Sequence, residues 1–448
     1  MAFRSMRLSV LMPMAFAALA STRFLAACSS DGAAPLSDAA VTADTSLPDS
    51  APSSDDALAA DALVDANTTA DATELADASE DASAPADALS DTATPATAAP
   101  RYEGRWGGIA LGTPTAANAG AAVVVAFVGP ELSIELEDLA TDMVDVQVDD
   151  GAPVAMLLQP GVQVLQVASG LSNARHEVRI TRRNESANGS ALIIRHYLLG
   201  ASVMAAPTPA TGRLVQFIGD SNSVGLGTVP SGDCINAIWT AENHSLAFPA
   251  LVARAFHAEE DLVARSGIGL WRNIDVNNPD VSPVVYDRTS LLLPLPAAGQ
   301  PDPWGQRWDA ASHHPDFVYI MLGQNDFEYS PSEQPPTEAQ MRAAMRDYTA
   351  KIRGLHPHAR IVVGLSPNVQ DTPPWFTRPI LRQAYQAAVA DRNGAGDAAI
   401  RFFEPTPIAD AQRASDLSAC WSHFSAAYHA RLADEIKALV SQETGWTP

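Results

Sequence analysis

Positive charge and cysteine are both scarce in this sequence. Across 448 residues, 28 Lys and Arg stand against 52 Asp and Glu, a formal net charge of −24, and there are three Cys. No basic stripe that could neutralise phosphates is present, which removes nucleic acid from the expected partners. Long apolar runs are missing too. The N-terminal segment Leu8–Ala20 falls short of the ~20 residues that a membrane-crossing helix needs. His313-His314 is the nearest approach to metal-ligand spacing, but no further ligands surround it, so no metal or other cofactor is expected. Gly-x-Ser-x-Gly is not formed either, because Ser223 stands where its second Gly would be, and this argues against an α/β-hydrolase elbow.

What is present divides the chain into four parts. Residues 1–28 read as an export signal, with Arg4 and Arg7 ahead of the apolar run. Leu25-Ala26-Ala27-Cys28 resembles a bacterial lipobox, in which Cys28 would carry lipid; Arg23 is unusually close to it, and the alternative is an ordinary cleaved signal. Residues 29–100 contain thirteen Asp, two Glu and no Lys or Arg, in a background of Ala, Ser, Thr and Pro. Such a segment cannot bury enough apolar surface to offset its chain entropy, and its like charges extend it. A disordered spacer is expected, holding a domain away from a membrane surface.

From residue 101 to 209 short Val-, Ile- and Leu-rich runs follow one another at intervals of ~8–12 residues, as in an antiparallel sandwich. Ala122–Val128, Leu132–Glu137, Met143–Val148, Val162–Val167, His176–Thr181 and Leu192–Leu198 are the predicted strands, with turn signals at Asp149-Asp150-Gly151 and Asn188-Gly189. After about residue 210 apolar strands alternate with helices. The strands are Leu214–Ile218, Asp261–Ala264, Phe317–Leu322, Ile361–Leu365 and Ile400–Phe403; the helices are Leu246–His257, Thr337–Leu355, Pro379–Arg392 and Ser425–Val440. Thr337 and Gln340 make a capping box. The alternation predicts an α/β domain over 210–448, with a parallel sheet covered on both faces and its site at the carboxyl ends of the strands.

Four segments just past these strands or before the last helix carry candidate chemistry. Gly219-Asp220-Ser221 places a hydroxyl at a strand-to-helix turn, where the Ser221 N–H also faces an anion site. Gly267, in Ser266-Gly267-Ile268-Gly269, lets the backbone approach a ligand and donate its N–H. Asn325, in Gly323-Gln324-Asn325-Asp326, can donate its amide to a developing oxyanion. His423, in Cys420-Trp421-Ser422-His423, can reach a nucleophile on another strand end as general base. Each alone is as readily a turn, a cap or a packed side chain. The two Cys left after Cys28 either pair, pinning the loops of Cys234 and Cys420 together, or stand as two buried thiols.

Together, in this order, the four segments resemble the SGNH (GDSL) hydrolases, with Ser221 matching block I, Gly267 block II, Asn325 block III and His423 block V. The resemblance implies a flavodoxin-like three-layer SGNH domain preceded by a jelly-roll sandwich. It also implies ester hydrolysis through an acyl-enzyme on Ser221, with an oxyanion hole formed by the N–H groups of Ser221 and Gly267 and the Asn325 amide. Gly104-Arg105-Trp106, the stretch to Gly225-Leu226-Gly227, Asn273 after block II and the closing Gly445-Trp446 are similar to carbohydrate esterase family 2, whose members deacetylate xylan, glucomannan and related polysaccharides. The likeness covers nearly all of 101–448.

One departure stands out. The family pattern carries an acid just before the His, and here Cys420 and Trp421 occupy those places while Phe424 replaces a Pro. The expectation is a Ser221–His423 dyad whose ring is held by a backbone carbonyl; the rival is a triad completed by Asp416 or another carboxylate. Trp375 and Trp421 are candidate sugar-stacking residues. The expected partner is acetylated polysaccharide, acted on by a monomeric, exported protein on the cell envelope. The alternatives are an inactive carbohydrate-binding homologue and a lipase or thioesterase with a non-sugar substrate.

Overall fold

In the computed structural model the described residues are 98–185, 191–208, 210–291, 302, 305–328, 334–369, 377–418 and 420–448. The export segment with Cys28, the acidic spacer, the Asn188-Gly189 turn and Trp375 lie outside them.

Period-two alternation organises the first region. In Leu132–Asp138, the apolar Leu132, Ile134 and Leu136 are buried while Ser133, Glu135 and Glu137 are half-buried, so one face turns inward. Along the chain the strands are β1 (Arg101–Glu103), β2 (Trp106–Gly107), β3 (Thr115–Ala116), β4 (Ala122–Val128), β5 (Leu132–Asp138), β6 (Asp142–Val148), β7 (Val154–Leu158), β8 (Gly161–Ala168), β9 (Arg175–Arg182), β10 (Leu192–Leu198) and β11 (Val203–Ala205). One sheet runs β1-β4-β9-β6-β7 with β11 also on β4, and the other runs β2-β3-β10-β5-β8. All their pairings are antiparallel. Val123, Val125 and Phe127 of β4 meet Leu132, Ile134 and Leu136 of β5 in a dry core between the sheets.

The second region is the parallel sheet. β12 (Leu214–Gly219), β13 (Glu259–Ala264), β14 (Phe317–Ile320), β15 (Arg360–Gly364) and β16 (Ile400–Phe403) lie in the order β13-β12-β14-β15-β16. Helices α1 (Ser221–Val224), α2 (Phe248–Ala255), α3 (Ser282–Val285), α4 (Glu338–Leu355), α5 (Thr377–Gly394), α6 (Arg413–Asp416) and α7 (Ala426–Thr444) connect and flank it. Met341, Met345 and Ile352 of α4 and Leu381 and Ala388 of α5 pack on one sheet face. Phe248 and Val252 of α2 and Leu432, Ile436 and Val440 of α7 pack on the other. Three layers result, with the central strands β12 and β14 buried on both sides. The predicted capping box at Thr337 and Gln340 closes the start of α4, and Ser425 caps α7.

Sandwich and sheet domain share a buried polar joint. Arg105, 1% exposed, donates from Nε to Asp261 of β13 at 2.8 Å and from one terminal nitrogen to the carbonyls of Tyr286 and Arg288. Gln216 of β12 donates to the same carboxylate at 2.6 Å. Burial opposes ionisation of Asp261, but the Arg105 guanidinium more than offsets it and holds the carboxyl below its ordinary pKa.

Candidate active site

Ser221 opens α1 immediately after β12. The turn that presents it depends on Gly219, where a Cβ would fall 1.9 Å from the Ser223 hydroxyl, and on Asp220, whose carboxylate caps the helix by accepting the Asn222 N–H at 3.0 Å. Gly267 follows β13 and has φ +74°, a left-handed backbone that favours glycine. Asn325 follows β14, the strand on the other side of β12. The site therefore sits at the carboxyl ends of the adjacent strands β12 and β14, whose onward connections run in opposite directions, to β13 and to β15, the usual cleft of an open parallel sheet.

His423 comes from the loop before α7, and its Nε2 lies 2.7 Å from Ser221 Oγ. Its Nδ1 lies 2.7 Å from the carbonyl oxygen of Cys420. A carbonyl only accepts, so Nδ1 carries the hydrogen, and unprotonated Nε2 accepts from the Ser221 hydroxyl. Burial pushes the His423 pKa down to about 4, only partly countered by the Cys420 carbonyl, so the ring is neutral at pH 7. Asp416 is engaged elsewhere: its carboxylate pairs with Arg431 at 2.5 Å.

The turn carrying the histidine is held from several sides. His423 N–H donates to Cys420 O at 3.1 Å, with Trp421 and Ser422 between them at φ +51° and +58°, the φ signs of a type I′ turn. Neither is glycine, so the turn is strained by roughly 1–2 kcal/mol per left-handed residue. Asn368 Nδ2 donates to Ser422 O, Ser418 N to His423 O, and Phe424 N to Asn222 Oδ1 of α1. Cys234 and Cys420 form a disulfide with a Cα–Cα distance of 5.6 Å. The half-buried Trp421 ring stands edge-on to His423, centroids 6.4 Å apart.

Asn325 donates from Nδ2 to the Ile268 carbonyl at 2.8 Å. That bond engages one of its two N–H groups and fixes the amide plane next to the Gly267 loop. Among the described residues neither the Ser221 nor the Gly267 N–H has a protein acceptor. Ser221, Gly267 and Asn325 are all buried, and the Asn325 amide is tied to the Gly267 loop through Ile268.

Four supporting residues escaped the sequence reading. Asp326 accepts the N–H groups of Leu270, Trp271 and Arg272 at 2.9, 2.6 and 3.0 Å, fastening the loop after Gly267. In the sequence it is the second half of an Asn-Asp pair and reads as turn chemistry. Glu185, from the sandwich, accepts the Ser266 N–H at 2.7 Å; at a sequence separation of 81, nothing local signals it. Asn368 and Asn222 are likewise ordinary polar residues until the fold brings the His423 loop to them. Among the described residues, no group of three or more His, Cys, Asp or Glu is arranged to hold a metal ion.

Comparison with known proteins gives two adjoining family matches: "Carbohydrate esterase 2 N-terminal" over residues 102–207 and "GDSL-like Lipase/Acylhydrolase family" over 217–431. The chain is 26% identical over 347 residues to the cellulase/esterase CelE of Acetivibrio thermocellus, covering 77% of this chain and 39% of that protein. It is 33% identical over 205 residues to an acetylxylan esterase/glucomannan deacetylase of Cellvibrio japonicus, covering 45% of this chain and 53% of that protein. Thus it spans about two-fifths and about half of these two relatives. In fold it matches a family two carbohydrate esterase from Clostridium thermocellum, solved in complex with cellohexaose, with TM-score 0.68 and 24% identity over 78% of this chain and 100% of that one.

Proposed function

We propose that this chain, an SGNH/GDSL hydrolase resembling carbohydrate esterase family 2, is a serine esterase that removes O-acetyl groups from polysaccharide such as xylan or glucomannan. The contact of Ser221 Oγ with His423 Nε2 at 2.7 Å carries the reading. His423 takes the hydroxyl proton as Ser221 attacks the acetyl carbonyl, and the new C–O⁻ is met by the N–H groups of Ser221 and Gly267 and the Asn325 amide. The imidazolium then returns the proton to the departing sugar oxygen. Water, activated by the same histidine, hydrolyses the acetyl-enzyme and restores Ser221.

The two relatives, an acetylxylan esterase/glucomannan deacetylase and a cellulase/esterase, support a polysaccharide substrate. Trp421 beside His423, and Trp271, 41% exposed on the loop past Gly267, offer aromatic faces on which a sugar ring can stack. Hydrolysis of p-nitrophenyl acetate and octanoate, and acetate release from acetylated xylan and glucomannan, test this in wild type and Ser221→Ala. Turnover that survives in Ser221→Ala, or a preference for the octanoate, would defeat the proposal. The export signal and the acidic spacer support a lipid-anchored place on the cell envelope, and palmitate labelling lost in Cys28→Ser is its test.

A further inference from the structure

We infer that Cys234 is a positioning residue for the reaction: through its disulfide with Cys420 it fixes the carbonyl that sets the tautomer of His423. The inference rests on the esterase reading for its kinetic consequence but not for its structural one. The Cys420 oxygen accepts from both the backbone N–H and the ring Nδ1–H of His423. It belongs to a turn with two successive non-glycine residues at positive φ, a conformation that persists only where its surroundings enforce it. The hydrogen bonds from Asn368, Ser418 and Phe424 secure residues 422, 423 and 424. Residue 420 itself is held by the disulfide.

The far end of that bond is firm. Asp233 Oδ1 accepts the N–H groups of Ile235 and Asn236, Asp233 N–H donates to Thr240 Oγ1, and Gly227 N–H donates to the Ala241 carbonyl. Cys234 therefore sits in a knitted loop tied to the end of the Ser221 segment, and the disulfide refers the His423 carbonyl to the nucleophile's own frame. A ring freed from this carbonyl can carry its hydrogen on Nε2, where it cannot accept the Ser221 proton. In the serine-protease triad a wrong tautomer costs ~10⁴ in kcat. Where a carboxylate normally orients the base, this protein uses a cross-linked carbonyl.

The test uses the full chain, labelled with ¹⁵N-histidine, oxidised and after treatment with a dithiol. The reagent converts the disulfide into two thiols and becomes its own cyclic disulfide; Cys234 is half-buried and within reach. Thiol titration should show two additional thiols. The His423 ring signal, assigned by its loss in His423→Gln, should change from the Nδ1–H form to a mixture with Nε2–H. On p-nitrophenyl acetate kcat should fall at least about tenfold while KM stays within about twofold, the pattern of a base that is misplaced rather than a pocket that is lost. Cys234→Ala should reproduce both effects without reductant.

Two new thiols with an unchanged tautomer and kcat within about twofold would overturn the inference. So would loss of the tautomer signal together with the far-UV CD spectrum, which would make the bond a staple of the fold. Should Cys234→Ala fail to fold, the reduced wild type supplies the same measurements. If the oxidised chain shows no Ser221-dependent turnover, the esterase reading falls, and the ring tautomer still decides the role of Cys234.

Discussion

The backbone carbonyl of Cys420 accepts the Nδ1 hydrogen of His423 at 2.7 Å, on the opposite side of the ring from Ser221. A carbonyl dipole can choose the tautomer and fix the ring plane, as a carboxylate would. It brings no net charge to stabilise an imidazolium, and burial is then free to depress the basicity of the ring.

The pH dependence should show this. The His423 pKa lies at about 4 in the folded protein, against an ordinary value near 6.5. The neutral ring is the working form, so activity is lost as pH falls through the folded value and kept above it. The acid limb of kcat/KM should therefore centre near pH 4, leaving about nine-tenths of the plateau at pH 5. A limb at 6.5 or higher would contradict the buried, carbonyl-held ring.

Replacing Asp416 by Asn separates dyad from triad. Its carboxylate faces Arg431, so kcat should remain within about threefold while Tm falls by a few degrees, the scale of ~1 kcal/mol in a domain of this size. A loss of three decades in kcat would place Asp416 in the catalytic unit after all.

Asn325→Ala removes the amide proposed to meet the oxyanion, and with it the brace on Ile268 O. Turnover should drop by ~10²–10³ with a smaller change in KM, as expected for a group that acts mainly in the transition state. Steady-state kinetics on p-nitrophenyl acetate would read it, and an equal rise in KM alone would make Asn325 a ground-state contact.

Arg105→Met should act on stability. It strands the Asp261 carboxylate, 3% exposed, in the joint between sandwich and sheet, which typically costs ~3–5 kcal/mol. Tm should fall by about 10 °C, and Arg105→Met combined with Asp261→Leu should recover part of it. Calorimetry of both variants checks this, and an unchanged Tm would show the joint to be energetically idle.

Much of the architecture was legible because it rests on local periodicity. The alternating Leu132–Glu137 and the doubly buried Leu214–Ile218 announce their sheets in their own residues. The strand predicted over Phe317–Leu322 stops at Ile320, and the predicted helix at Leu246–His257 is a 3₁₀ turn followed by α2. β1, β2, β3 and β11 were unread, being two or three residues long. β7 was unread because, at the sheet edge with most of its side chains exposed, it carries no inside-outside pattern.

The sequence by itself determined the longer strands and helices and the residue kinds at their ends, because hydrophobic period and turn chemistry are properties of neighbouring residues. It placed Ser221, Gly267, Asn325 and His423 at loops where a parallel sheet gathers its chemistry. It left open whether Asp416 or a carbonyl holds His423, and whether Cys234 and Cys420 pair. The second turns on sulfurs 186 residues apart meeting in a bond, and the first on a strained turn that brings the Cys420 carbonyl to a ring three residues away, relations that only the packing around the site could set. Asp326 and Glu185 make the same point, since their carboxylates find backbone N–H groups that no local pattern names.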